Sequence, residues 1–252
     1  MRGAGQVRHS PGLPGRATAV RARLAFVLLA AAVFCHPRAE APAAPRAVPP
    51  QVIAFLVVDG VYDTELTAPL DVLQHVRFHA PDAPRTILVS PDGRAVHTFE
   101  GLVIHADHSF ATAPPIDVLV VPSAEHSMDT DLENEAMIQW VRRVGRRALH
   151  VVSLCDGAFV LARAGLLDGQ PATTFPADQD RFAARFPQVR LIREVSFVDA
   201  GQALTSVGGA RSFEVALWLA ERLYGRPAAR GIARGLVIDW EAGTVPHMVV
   251  KP

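Results

Sequence analysis

The sequence predicts an α/β domain with a mainly parallel sheet sandwiched between helices and with an edge hairpin. Two observations carry this. Short, β-branched apolar runs recur, each the signature of a strand buried on both faces. Amphipathic patterns separate them, and that alternation places helices over both faces of one sheet.

The first run is "QVIAFLVV" (51–58), and "TILVS" (86–90), "DVLVVPS" (117–123) and "LHVVSLC" (149–155) repeat its style. Between the last two, "TDLENEAMIQWVRRVGRR" sets Met137, Val141, Val144 and Ala148 on one face, a helix that Thr130 and Glu133 would open as a capping box. Helical patterns also follow Glu65, Asp156, Ser212 and Arg226. The stretch from 94 to 110 alternates and contains Glu100-Gly101, so it is expected to form the hairpin at one edge.

The amino-terminal end predicts export. Residues 1–23 carry five arginines and no acid, and twelve apolar residues follow, Leu24 to Cys35. That run is short for a membrane span but suits a secretory signal, and Ala39-Glu40-Ala41 is a cleavage pattern. The domains are therefore expected as a signal peptide over 1–41, a Pro/Ala linker over 42–50 and one α/β domain over 51–252. The expected localisation is the bacterial periplasm or the exterior, with membrane attachment only if the segment stays uncleaved.

Charge and composition exclude several classes. The chain balances 25 basic against 25 acidic residues; losing 1–41 removes six arginines and one glutamate, leaving 19 against 24, a net charge of −5. A mildly acidic protein without a basic cluster is a poor nucleic-acid binder. The single lysine, Lys251, argues against a Walker-type phosphate loop or a lysine Schiff base. After cleavage Cys155 is the only cysteine, so neither an intramolecular disulfide nor a Cys-rich zinc site is available. No metal and no cofactor is expected.

Cys155 ends a strand, and a helix pattern starts at Asp156 with no loop between. A strand running straight into a helix makes a sharp elbow that pushes the turning side chain out of the sheet. The helix amino terminus then points at the sulfur, a position expected to lower the thiol pKa. Gly157 is small, which allows close approach of chain or ligand. The alternative reading of Cys155 is a packed core cysteine.

At these residues the chain resembles the PfpI superfamily, which includes isonitrile hydratase, the parkinsonism-associated deglycase and the sensor domains of AraC-type regulators. "SLCDGAFVLARAGLLDGQPATTF" is similar to its nucleophile-elbow segment. "FLVVDGVYDTELTAPLDVL" resembles its first strand and acid-bearing helix. "TSVGGARSFEVALWLAERLYGRPAARGIARGLVIDW" resembles its closing glycine turn and carboxy-terminal helices. The resemblance implies a flavodoxin-like, class I glutamine amidotransferase-like fold and a nucleophilic Cys155 facing an acid four residues before a proline, here Glu65 before Pro69. It also implies a homodimer.

Three places in the chain depart from the family's enzymes. Phe175 stands where many members carry a histidine, and Ser123 and Ala124 stand where paired glycines often form an oxyanion site. Asp156 stands where hydratase-like members carry threonine; a carboxylate there would help cap the helix yet oppose the thiolate. His126, in the loop after the fourth strand, is a substitute for the missing histidine or an exposed loop residue. Two function classes follow. One is a cofactor-independent, cysteine-dependent hydratase or hydrolase of a small electrophile. Cys155 would be its nucleophile, Glu65 its proton shuttle, and Asp156, Ser123, Ala124, Gly157 and His126 its oxyanion or substrate-binding residues. The other is a non-catalytic ligand-binding or redox-sensing module.

Overall fold

The computed structural model describes residues 50–250. The signal and cleavage motif expected within 1–41, and linker residues 42–49, lie outside them. Among the described residues no helix is long and apolar enough to cross a membrane.

The chain alternates strand and helix as its apolar runs predict. Strand β1 (Val52–Leu56) leads to α1 (Asp63–His75) and β2 (Arg85–Ser90). The short strands β3 (Val96–His97), β4 (Val103–Ile104) and β5 (His108–Ser109) follow, then β6 (Val118–Val121) and α2 (Glu135–Gly145). Strand β7 (His150–Leu154) runs into α3 (Gly157–Arg163), and β8 (Pro171–Ala172), α4 (Gln179–Arg185) and β9 (Arg190–Leu191) make an excursion. The chain closes with β10 (Phe197–Asp199), β11 (Ala203–Ser206), α5 (Ser212–Tyr224), α6 (Arg226–Gly235) and β12 (His247–Val249).

Eight strands form one sheet in the order β12-β10-β11-β7-β6-β1-β2-β5. Its pairs are parallel except β10 with β11. Alternate residues of each central strand enter opposite cores, as the twofold side-chain period requires. Ala54, Leu56, Leu119, Val121 and Val151 pack with α2 and α3 residues such as Met137 and Phe159. Ile53, Phe55, Val118, Val120 and Val152 pack on the other face with Leu66 and Leu73 of α1 and Val215 and Leu219 of α5. Both faces are therefore covered, which is why the central strands read as unbroken apolar runs.

The chain leaves β1 towards β2 on one side and later fills β6 and β7 on the other, so strand order reverses between β1 and β6. Ligand sites of open α/β sheets gather at the carboxyl ends of strands around such a point.

The predicted hairpin forms as its own two-stranded sheet, β3 with β4, turning at Gly101 with φ +97°. The edge of the main sheet is β5, paired parallel with β2. The hairpin is tied to the β1–α1 loop, where Gly60 N donates to His97 O (2.8 Å) and Phe99 N to Val61 O (3.0 Å).

The capping box is corrected. Thr130–Glu133 is a separate 3₁₀ turn, and α2 begins later, capped by Asn134, whose Oδ1 accepts from Met137 N at 3.1 Å. The 3₁₀ turn buries Leu132, and Asn134 stands three residues before Met137, the first buried residue of α2. A cap there satisfies the amide that opens the apolar face.

Candidate functional site

The site is built where β7 ends. The Cys155 amide extends the β7–β11 ladder by donating to Ser206 O at 3.0 Å, and the backbone then turns. Cys155 takes φ +52°, one of three positive values at non-glycine residues among those described. Such strain persists only where the surroundings over-determine it. Here Gly208 supplies that constraint: a Cβ at Gly208 would lie 2.4 Å from Cys155 Cβ and 2.8 Å from its N. Gly157 holds the other side, since a Cβ there would lie 2.1 Å from Val121 O. Gly157 thus admits the chain, packing α3 onto the end of β6.

Glu65 comes from the first turn of α1 and is buried. Its Oε1 accepts from Gly209 N at 2.8 Å, which fixes the carboxyl beside the elbow. Pro69, inside α1, has no N–H to give the Glu65 carbonyl four residues earlier. Glu65 and Cys155 are close enough for the carboxylate to oppose the thiolate.

Asp156 is likewise buried, and its side chain does not cap α3. That expectation is corrected. Asp156 turns towards the thiol and the loop after β8: Cys155 Sγ donates to Oδ2 at 3.8 Å, and Thr174 Oγ1 donates to Oδ1 at 2.9 Å. Thr174 Oγ1 also lies 3.1 Å from Cys155 O. Burial, then the neighbouring Asp178 charge against the relief given by Thr174, leaves the Asp156 carboxyl at about 6.

The expected lowering of the thiol pKa is reversed. Burial pushes the Cys155 thiol up first, and the Asp156 and Glu65 charges push it further. The Asp156 backbone N–H and the Ser123 hydroxyl favour the thiolate but do not overcome burial. The reason is geometric: α3 has seven residues, and the sulfur sits inside the elbow with only 8% of Cys155 exposed.

Ser123 and Ala124 follow β6, and neither takes a positive φ. Ser123 Oγ is buried without a hydrogen-bond partner of good geometry and faces the sulfur. Ala124 does not offer its amide as an oxyanion donor, because that N–H goes to Ser127 Oγ at 2.8 Å. His126 Nε2 lies 4.0 Å from Glu125 Oε2, and His126 lines a cleft of about 510 Å³ with Asp59, Arg94, His97 and Asp131. Phe175, at the position where many family members carry a histidine, is 41% exposed.

Sequence reading missed Tyr62, Thr174 and the ligating part of the glycine turn. Tyr62 precedes α1; burial first, then the charges of Cys155, Glu125, Glu65 and Asp156, hold its phenol above the ordinary value. Its amide donates to Ser123 O at 3.1 Å, joining the β1–α1 loop to the loop after β6. The signal for Gly209 was the paired glycine after β11, read there only as a turn. No group of three or more His, Cys, Asp or Glu able to hold a metal occurs among the described residues.

A mainly parallel sheet covered on both faces, with a buried cysteine on a strained strand-to-helix elbow beside a helix-borne glutamate, defines a class of α/β protein. The chain belongs to the DJ-1/PfpI family, whose model matches residues 51–222. Isonitrile hydratase of Pseudomonas putida is 32% identical over 181 residues, 71% of this chain and 74% of that protein. The HTH-type transcriptional regulator CdhR of Pseudomonas aeruginosa is 30% identical over 162 residues, 64% of this chain and 47% of that one. The chain thus spans about half the length of the regulator it matches. Among solved structures, an AraC family transcriptional regulator from Pseudomonas putida superposes with TM-score 0.67 and 26% identity, over 74% of this chain and 100% of that one. Drosophila melanogaster DJ-1beta shares the fold, with TM-score 0.67 at 21% identity over 75% and 99% of the two chains.

Proposed function

We propose that this is an exported, cysteine-dependent hydratase or hydrolase of a small electrophile, with Cys155 as nucleophile and Glu65 as proton shuttle. The observation that carries the reading is the elbow itself. A cysteine that only filled the core would have no need of φ +52° or of a glycine pressed against its Cβ.

The chemistry needs no cofactor. The sulfur pair adds to a carbonyl, nitrile-like or isonitrile carbon. At a carbonyl carbon bearing a leaving group, the pair displaced onto oxygen returns and the leaving group departs with a proton, giving a thioester. At a nitrile-like carbon the pair displaced onto nitrogen takes the proton, and at an isonitrile carbon the carbon's own lone pair takes it; each gives a thioimidate. Water then adds to the thioester or thioimidate carbon, and the C–S bond breaks with its pair returning to sulfur, completing hydrolysis in the first case and hydration in the others. Glu65, fixed by Gly209, carries protons between water and the adduct, and the Asp156 amide and Ser123 hydroxyl hold developing negative charge. The similarity to isonitrile hydratase over most of both chains supports this class of substrate.

The second reading, a non-catalytic binding or redox-sensing module, is favoured by the upward push on the thiol and by the likeness to the regulators. Site-resolved alkylation by iodoacetamide separates the two. The nucleophile reading expects Cys155 of the full chain to react at pH 7 faster than free cysteine, with a pH profile altered in Glu65→Gln. Slow labelling indifferent to Glu65 would make Cys155 packing and the chain a binding module. Export with cleavage after Ala41 expects periplasmic protein beginning at Pro42, read by amino-terminal sequencing. The family resemblance further supports a homodimer, read by sedimentation.

A further inference from the structure

We infer that Asp156 is the base that takes the Cys155 proton, aligned by Thr174 and relayed to solvent by Asp178, in place of the histidine this chain lacks. This rests on the reading of Cys155 as nucleophile and adds the step that reading leaves open. A buried thiol held neutral attacks only if its proton leaves as the S–C bond forms.

The geometry supplies one acceptor in line. Cys155 Sγ already donates to Asp156 Oδ2, whereas Glu65 Oε1 accepts from Gly209 N. Oδ1 of Asp156 is occupied by Thr174, which leaves Oδ2 turned to the sulfur. Ser123, 1% exposed, faces the same sulfur from the β6 side, and its buried Oγ has no other hydrogen-bond partner. The groups facing the pair are Glu65 and Tyr62 from the α1 side, Glu125 beyond Tyr62, and Asp178 with Thr174 from the loop before α4. Asp178 is half-buried, so it connects Asp156 with solvent. The carboxyl value of about 6 suits a base working near neutrality.

In the step, the S–H bond breaks and its proton goes to Oδ2, while the sulfur pair forms the S–C bond. The proton passes to the adduct directly, or leaves through Asp178 while Glu65 supplies one to the adduct. When water later adds, Asp156 takes a proton from it, the C–S bond breaks with its pair on sulfur, and Asp156 gives that proton to the sulfur, which restores the thiol. No oxidant or reductant is consumed.

The test has opposite signs for the two roles Asp156 can have. Cys155 labelling by iodoacetamide is followed by peptide mass spectrometry from pH 4 to 10 in the full chain and in Asp156→Asn. As a base, Asp156→Asn labels at least about tenfold more slowly at pH 7. It also loses the inflection near 6 and a solvent deuterium effect of about 2. If Asp156 is only an opposing charge, its removal speeds labelling, and the proposal is overturned while the nucleophile reading stands. A wild-type Cys155 that labels no faster than free cysteine overturns both. Thr174→Val keeps the carboxyl and loses its alignment; should Asp156→Asn not fold, slower labelling with a higher inflection in Thr174→Val supports the proposal, and an unchanged profile refutes it.

Discussion

Gly208 presses against Cys155: the two backbones, at φ +80° and φ +52°, approach so closely that a single added methyl would sit 2.4 Å from the cysteine Cβ. The approach joins the ends of β7 and β11 at the elbow. Gly208→Ala therefore strains both a left-handed φ and a backbone contact, at a cost of about 2–3 kcal/mol. Chemical denaturation should show that loss. A variant as stable as wild type would mean that Gly208 does not hold the elbow.

Asp156 makes stability depend on pH. Its carboxyl is raised by burial from 3.8 to about 6, so its stabilising proton is fully bound below 3.8 and is lost as pH rises through about 6. Asp156→Asn has no such loss. Urea unfolding is expected to find the variant about 2 kcal/mol more stable than wild type at pH 8 and level with it at pH 4. Parallel curves across that range would show that Asp156 does not titrate with folding.

Asp199, at the end of β10, is almost wholly buried and accepts from Trp218 Nε1 at 2.7 Å, Gly201 N at 2.9 Å and Arg222 Nη1 at 2.7 Å. Removing it leaves the Trp218 indole N–H without its acceptor and the Arg222 guanidinium with only Gly201 O, at 3.1 Å. Asp199→Ala is expected to lose about 3 kcal/mol in thermal or urea unfolding. Cys155 labelling in the folded variant should stay as in wild type, because Asp199 joins β10 to α5 away from the elbow.

The helix before β7 offers a paired comparison. Asn134→Ala removes the acceptor of the Met137 amide and should cost about 1 kcal/mol. Thr130→Ala, in the 3₁₀ turn, should change stability by less than about 0.5 kcal/mol. Equal costs would restore the capping box that the sequence suggests.

Val52–Leu56, Val118–Val121 and His150–Leu154 were legible as central strands because burial on both faces forces an unbroken apolar run, a pattern that survives in one dimension. The elbow was legible too, since Cys155 closes such a run directly before a helix pattern. The short strands β8 to β12 were not, because two to four residues carry no period, and their pairing is set by partners far along the chain. Tertiary structure alone decided the state of the site. Burial outweighs the helix end at Cys155, Asp156 turns from cap to hydrogen-bond acceptor, Ala124 gives its amide to Ser127, and Gly209 reaches 144 positions back to Glu65. Sequence fixes which chemical groups the chain carries and where strands must end. Desolvation and hydrogen-bond partnership depend on what the folded chain brings alongside each group, and that neighbourhood exists only in three dimensions.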